Sequence, residues 1–235
     1  MPHRTHRAAA SFRTAFLLAV LLVVNPILAN AEPCNEPAAT NVRALAPILN
    51  VGDVVFIRVA ARPFLEVAAA TDSWTNHVGI VIDTAGDEPL IAESTFPLSR
   101  TTKLSKFAAR SEGGRLAIAR LKAPLKPEQR QQLVAAAERR TGIFYDTGFD
   151  LHSRRQFCSR YVREVIEEAT GIRVGEVETF ATLLTRRPQT DLGFWRVWYF
   201  GQIPWQRETV TPASLLRSPE LVPVFDGMAV KDVAL

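Results

Sequence analysis

Apolar runs separated by polar, turn-rich stretches predict the strands of a sheet in the first half of the chain. Short apolar or β-branched runs bounded by turn signals are typical of buried strands, and three segments fit: 54–59, 77–82 and 90–95. The last two are joined by a turn-rich connector around Gly86 and Asp87, which predicts a hairpin. A fourth segment, 115–121, alternates charged and apolar residues, as a partly exposed strand does.

Two longer segments have the periodicity of amphipathic helices. Residues 127–140 begin with Pro127 and are followed by Gly142, which are typical residues at the two ends of a helix. Residues 158–169 are predicted to form the second helix, which Gly171 would cap. Its buried face carries apolar side chains at i, i+3, i+4 and i+7, namely Val162, Val165, Ile166 and Ala169.

The remaining elements are shorter. Helical turns are predicted in 42–49, 63–70, around Leu104 and Phe107, and after Thr211-Pro212. The aromatic run 194–200 predicts another strand, because aromatic residues favour the pleated conformation. No internal repeat divides the chain, so the pattern predicts one domain of mixed strands and helices.

The first residues of the chain have the pattern of a targeting segment. Three arginines precede the apolar run 15–24, and Ala29-Asn30-Ala31 fits a small-x-small cleavage site. The apolar run is shorter than the roughly 20 residues that a membrane span needs, which favours a signal peptide over a retained membrane anchor. We therefore predict a signal peptide over 1–31, an N-terminal leader over 32–49 and a single domain over 50–235. The mature protein is predicted to be periplasmic or secreted, without a transmembrane segment.

Removing the signal peptide changes the charge balance. The whole chain has 28 Lys+Arg and 24 Asp+Glu, a formal charge of +4. The signal contributes Arg4, Arg7 and Arg13 and no acidic residue, so the mature chain has 28 − 3 = 25 basic against 24 acidic residues, or +1. No basic tract remains, which argues against a nucleic-acid partner.

Cys158 is the leading candidate for chemistry because it begins the second amphipathic helix. Backbone N–H groups and the positive end of the helix dipole favour the thiolate form of a cysteine at such a position. The alternative of an inert, buried cysteine is less favoured, because Gln156, Ser159 and Arg160 are polar neighbours. A disulfide with Cys34, near the expected mature N-terminus, is a further alternative for an exported protein.

His77 and Glu93 are the candidate partners of this thiol. His77 opens one strand of the predicted hairpin and Glu93 lies near the end of the other, so the carboxylate could accept a hydrogen bond from the imidazole and fix its tautomer. Each could equally be an ordinary strand residue. His152 is the rival base, but its irregular loop fixes its geometry less well.

Tyr145 could donate to an oxyanion or contact the substrate, or could simply pack. We expect no cofactor and no metal, because Cys158, the two histidines that remain after signal cleavage and the scattered acids show no metal-ligand spacing.

The order of several short blocks resembles the YiiX/YaeF-like hydrolases, circularly permuted papain-like relatives of the NlpC superfamily of cell-wall cysteine peptidases. The resemblance covers roughly residues 50 to 220. The blocks that carry it are Gly52-Asp53-Val54-Val55-Phe56, His77-Val78-Gly79-Ile80-Val81, Ile91-Ala92-Glu93-Ser94, Tyr145-Asp146, Phe157-Cys158-Ser159 and Thr211-Pro212-Ala213-Ser214-Leu215.

The resemblance implies an α+β fold in which an antiparallel sheet packs against helices, including the helix that begins at the cysteine. It also implies that Cys158 is the nucleophile, His77 the general base and Glu93 the residue that orients it. The leading hypothesis is an exported cysteine peptidase or amidase that cleaves a peptide or peptidoglycan-stem amide through a thioester.

Two other functions stay open. One is a lipid-directed acyltransferase or amidase on the same fold, because the superfamily includes lipid-handling acyltransferases; the aromatic run 194–200 and Trp205 would then line a lipid groove, or else belong to the core. The other is a non-catalytic envelope binding protein with a Cys34–Cys158 disulfide.

Overall fold

The computed structural model describes residues 40–187 and 190–230. Its strands are β1 Thr40–Asn41, β2 Val54–Val59, β3 His77–Asp83, β4 Leu90–Glu93, β5 Arg100–Lys103, β6 Ser111–Leu121, β7 Val177–Thr179, β8 Glu208–Val210 and β9 Leu221–Val230. Its α-helices are α1 Arg62–Thr71, α2 Leu104–Ala108, α3 Pro127–Arg139, α4 Cys158–Thr170, α5 Phe180–Thr185, α6 Leu192–Trp198 and α7 Pro212–Leu216. The predicted signal peptide lies outside the described residues.

The described strands form one large sheet and one small one. The large sheet has the order β1-β9-β6-β2-β3-β4-β5, and β7 pairs with β8. Neighbouring strands are antiparallel except β1 and β9, which are parallel. The predicted hairpin is present as β3 and β4, and the predicted α+β architecture is confirmed. No described helix is both long and apolar enough to cross a membrane.

The centre of the large sheet is buried on both faces, which explains the unbroken apolar run in β2. Val54 and Phe56 pack in the same cluster as the buried side of α3 and α4. Val55 and Ile57, which point to the opposite face, pack with α2 and with a 3₁₀ helix over Val42–Ile48. Residues within the predicted leader therefore contribute to this second core.

Helix α4 is anchored along the apolar stripe that the sequence predicts. The four side chains of the stripe are all buried against the sheet. Gly171 ends the helix with φ +76°, a left-handed conformation that glycine adopts without steric cost, and its N–H donates to the Glu167 carbonyl at 2.8 Å. The first residue of the helix is therefore held at a fixed place over the sheet.

The prediction of a strand over 194–200 is wrong, because this segment is mostly helix α6. Asp191 caps the helix by accepting from the Phe194 N–H at 2.9 Å. Trp195 is buried in a small cluster with α5, and the ring of Tyr199, one turn later, stacks on it. Helical spacing therefore buries the aromatic rings here, and this packing outweighs their preference for strands.

The pattern also misplaced or missed other strands. The strand predicted over 90–95 ends at Glu93. Strands β5, β7, β8 and β9 were not predicted. The longest of these, β9, contains Pro223 and Gly227, residues that usually argue against a strand; the register of its pairing with β6 shifts beside Pro223, which accommodates the missing N–H.

Candidate active site

Cys158 is the first residue of α4 and is a free, buried cysteine. Phe157 precedes it in an extended conformation and provides no side-chain cap. The first N–H groups of α4 are therefore not satisfied by a capping side chain, which leaves them directed at the region of the thiol. Cys34, the other cysteine of the chain, lies outside the described residues.

His77 lies at the start of β3, and its ring is 1% exposed. Its Nε2 atom and Glu93 Oε2 are 2.6 Å apart, which is the hydrogen bond predicted from the hairpin. The rings of Phe64 and Phe107 pack against the imidazole, at centroid distances of 6.0 and 5.6 Å. Since Nε2 is occupied by Glu93, and Nδ1 has no hydrogen-bond partner, Nδ1 is the nitrogen left for Cys158.

Glu93 is fully buried at the end of β4 and has two partners besides His77. Arg110 donates to Oε2 at 2.7 Å, and Arg100 approaches Oε1 at 3.5 Å. A buried carboxylate needs such partners, because an unpaired charge is expensive to remove from water. Glu93 is therefore held as an ion among two arginines and a histidine.

The electrostatics of the cluster favour a protonated imidazole. Burial acts to lower the pKa of His77, but the nearby Cys158 and the hydrogen bond and charge of Glu93 outweigh it and raise this pKa to about 9. Burial likewise acts to raise the pKa of Glu93, but the hydrogen bond and charge of His77, together with Arg110, lower it to about 2. At neutral pH the arrangement stabilises an imidazolium between two acidic groups.

Tyr145 brings a third polar group to the thiol. Its ring is buried in the loop before α4, and its hydroxyl has no hydrogen-bond partner. Burial and the charge of Cys158 raise the pKa of this phenol, so it stays protonated and can donate. The loop is fixed by backbone bonds, among them Tyr145 N–H to the Pro97 carbonyl and Asp146 N–H to the Gln156 carbonyl.

His152, the rival base, is not part of this cluster. Its side chain is 71% exposed on the loop and pairs with Glu208, with 2.8 Å between Nε2 and Oε2. The structure therefore brings together Cys158, His77, Glu93 and Tyr145, and leaves His152 at the surface.

Arg110 and Arg100 were not predicted as site residues from the sequence. They lie in the segment between β4 and β6, where the pattern gave only a short helix, and neither has a spacing relative to Glu93 that would reveal the contact. The pairing of β4 with β5 places Arg100 opposite Glu93, and the turn after α2 places Arg110 beside it.

A largely apolar cavity adjoins the thiol. Tyr145, Cys158 and Ser159 form part of its wall, and most of the rest is aromatic or aliphatic, from α1, α5 and α6. No lining residue in the described part of the chain has a charged side chain. The main apolar lining residues are Phe64, Val67, Ala70, Phe149, Phe157, Phe180, Leu183, Leu184, Trp195 and Val210.

A helix that begins with a buried thiol, above a sheet that carries a hydrogen-bonded histidine–carboxylate pair, defines a cysteine hydrolase of the papain-like class. Residues 48–225 match the family described as permuted papain-like amidase enzyme, YaeF/YiiX, C92 family. The protein belongs to this family and is accordingly a cysteine peptidase or amidase. The resemblance seen in the sequence and the circularly permuted papain-like fold are confirmed.

Two relatives show how far the likeness extends. The uncharacterized protein YiiX of Escherichia coli (strain K12) is 28% identical over 173 residues, which cover 74% of this chain and 84% of the relative. A crystal structure described as metalloprotein yiiX from Escherichia coli O157:H7, DUF1105, superposes with a TM-score of 0.70 at 27% identity, over 76% of this chain and 98% of that one.

Proposed function

We propose that the protein is an exported amidase in which Cys158 is the nucleophile, His77 the acid and base, and Glu93 the residue that orients the imidazole. The observation that carries this assignment is the buried His77–Glu93 hydrogen bond, which leaves Nδ1 for the thiol. Family membership supports amide cleavage as the reaction, and the predicted signal peptide supports export.

The first half of the reaction forms a thioester. The Cys158 thiolate attacks the carbonyl carbon of the amide, and the oxyanion accepts hydrogen bonds from the N–H groups at the start of α4 and from the Tyr145 hydroxyl. The His77 imidazolium then gives its Nδ1 proton to the amine nitrogen as the C–N bond breaks. The amine leaves and the acyl group stays on sulfur.

The second half hydrolyses the thioester. Neutral His77 accepts a proton from water at Nδ1 while the water oxygen attacks the acyl carbon. The C–S bond breaks, the acid leaves, and the imidazolium–thiolate pair is restored. Glu93 remains ionised and keeps Nε2–H as its donor throughout.

The chemistry of the site does not fit a metal. Among residues 40–187 and 190–230 no three His, Cys, Asp or Glu side chains are placed to hold one ion. The Glu93 oxygens are already bonded to His77 and the arginines. The description of the Escherichia coli neighbour as a metalloprotein therefore has no counterpart in these residues, and no step here uses a metal.

Fast alkylation of Cys158 at neutral pH tests the assignment of the base. A cysteine-directed probe applied to the unreduced mature protein is expected to label Cys158, as located by peptide mapping, and His77→Gln is expected to slow this labelling at least about tenfold, because the imidazolium no longer stabilises the thiolate. His152→Gln is the matched control and should label at the parent rate. Equal labelling of both variants would contradict the pairing of His77 with Cys158.

The apolar cavity is better suited to the acyl chain of a lipid, as in the lipid-directed alternative, than to a peptidoglycan stem peptide. A peptidoglycan stem carries several carboxylates, and burying them against an uncharged, apolar wall would be costly. An aliphatic acyl chain would instead gain from burial there. Trp195, from the segment predicted to line a lipid groove, is one of the lining residues, whereas the partly exposed Trp205 is packed against the small cluster around α5 and α6.

Filling the cavity should therefore shorten the acyl chain that the protein accepts. Ala70→Phe, on the buried side of α1, is expected to lower kcat/KM for a long-chain N-acyl amide by about 10- to 100-fold, and to leave an acetyl amide within about twofold. Ala69→Phe is the control, because Ala69 is exposed on the same helix. If the parent cleaves stem peptides better than long-chain amides and Ala70→Phe does not discriminate chain length, the peptide hypothesis prevails.

A further inference from the structure

A single oxygen of Glu93 serves two partners. Oε2 accepts from His77 Nε2 at 2.6 Å and from Arg110 Nη2 at 2.7 Å, and all three groups lie at one end of the sheet. A carboxylate held only by the histidine could rotate about its last torsion, which is broad. The second donor fixes the direction in which Oε2 points.

We propose that Arg110 is a positioning residue for the reaction: it holds the Glu93 carboxylate in line with His77 Nε2, and its positive charge limits how tightly the imidazole holds its proton. This inference rests on the proposed function in one respect, namely that His77 is the acid and base. The structural relation among the three side chains is independent of the substrate.

Arg110 is itself well placed for this role. It follows α2, and its N–H donates to the Phe107 carbonyl at 3.2 Å. Its guanidinium lies over the Phe107 ring, 5.0 Å from the centroid. The same ring packs against His77 at 5.6 Å. One aromatic ring therefore contacts both the arginine and the imidazole, and fixes the distance between them.

Arg100 is the other cation at Glu93, and its contact is weaker. Its Nε is 3.5 Å from Oε1, the oxygen that does not face His77, and its side chain is 51% exposed, against 28% for Arg110. Water screens an exposed charge more than a half-buried one. Arg110 is therefore the cation that acts on the oxygen shared with the histidine.

The charges around His77 determine whether removal of Arg110 raises or lowers the pKa of this histidine. Glu93 faces the ring from β4, and Cys158 faces it from α4, while the phenol of Tyr145 is neutral. The cations Arg100 and Arg110 act through Glu93, and Phe64, whose ring packs against the imidazole from α1, is uncharged. Removing Arg110 leaves the imidazolium beside two acidic groups with one positive charge fewer nearby. The proton should then be held more tightly, so we expect the pKa of His77 to rise.

Titration of His77 by NMR, in mature protein labelled at histidine, tests the charge effect directly. Arg110→Met is expected to raise the His77 midpoint by about one pH unit. Arg110→Gln, which can keep a hydrogen bond without the charge, should raise it as well, and Arg110→Lys should keep the parent midpoint. Lys106→Met, which removes an exposed cation from α2, is the matched control and should leave it unchanged. An unchanged or lower midpoint in both uncharged variants would overturn this part of the proposal.

Steady-state kinetics test whether Arg110 orients the Glu93 carboxylate. Arg110→Met is expected to lower kcat by about 10- to 100-fold with KM near the parent value, and Arg110→Gln should recover part of this loss. A parent-like kcat in Arg110→Met would overturn the positioning role. Failure of the proposed function and failure of the role of Arg110 can be distinguished. If neither the parent nor its variants cleave an amide, the proposed function is wrong. The His77 titration still decides whether Arg110 acts on the imidazole.

Discussion

Replacing Cys158 with alanine is expected to lower amide cleavage at least about 10³-fold, to the level that binding and the oxyanion donors alone support. In the proposed mechanism the thioester cannot form without the Cys158 sulfur, and no other described thiol can replace it. The fold should survive, because the substitution removes a single sulfur atom while the apolar stripe of α4 remains in place. Initial rates with an amide substrate and a circular dichroism melt measure the two expectations.

Cys34→Ala is the matched control for this prediction. It makes the same chemical change in the other cysteine, and the proposed mechanism gives Cys34 no part. Parent-like activity in Cys34→Ala, together with inactive Cys158→Ala, is the expected pair of results. Equal loss of stability in the two variants, with no activity in the parent, would instead support the binding protein with a Cys34–Cys158 disulfide.

Glu93→Gln has the second largest expected effect, and it acts on kcat, on pH dependence and on stability together. A neutral amide no longer fixes the His77 tautomer or compensates the imidazolium, so kcat should fall by about 10²- to 10⁴-fold. The alkaline limb of kcat/KM, expected near pH 9 in the parent from the pKa of His77, should move to lower pH. This is opposite in sign to the shift expected for Arg110→Met.

Stability should change with pH in a way that the two pKa shifts dictate. His77 has a raised pKa, so its contribution is complete below its ordinary value of 6.5 and is lost as the pH rises through about 9. Glu93 has a lowered pKa, so its contribution is complete above 4.5 and is lost as the pH falls through about 2. Both contributions are complete between pH 4.5 and 6.5.

Glu93→Gln should therefore flatten this pH dependence and lower the free energy of unfolding by about 3 kcal/mol within that window, because it leaves Arg110 without its carboxylate. Urea unfolding at several pH values measures both effects. Glu208→Gln is the control, since it breaks an exposed histidine–glutamate pair and should cost at most about 1 kcal/mol. A parent-like pH profile in Glu93→Gln would contradict the role given to Glu93.

Local pattern was sufficient for the central strands and for helices α3 and α4. In β2 to β4 and in these helices, hydrophobic periodicity and the flanking turn or capping residues agree with the tertiary contacts, so the elements form within about two residues of the predicted bounds. The same agreement placed Cys158 at a helix start and put His77 and Glu93 on paired strands. In α6 local preference and tertiary packing disagree: aromatic residues favour strands, but the cluster around Trp195 buries them at helical spacing.

The sequence by itself determined the thiol, the imidazole and the carboxylate, because each lies at the end of an element whose pattern is readable. Only the tertiary structure decided which histidine meets the thiol, that Arg110 shares an oxygen of Glu93, and that an uncharged cavity lies beside the thiol. These depend on contacts between segments distant in the chain, such as α2 with β4, or α1 with α5 and α6. Such contacts are fixed by packing and cannot be predicted from local periodicity.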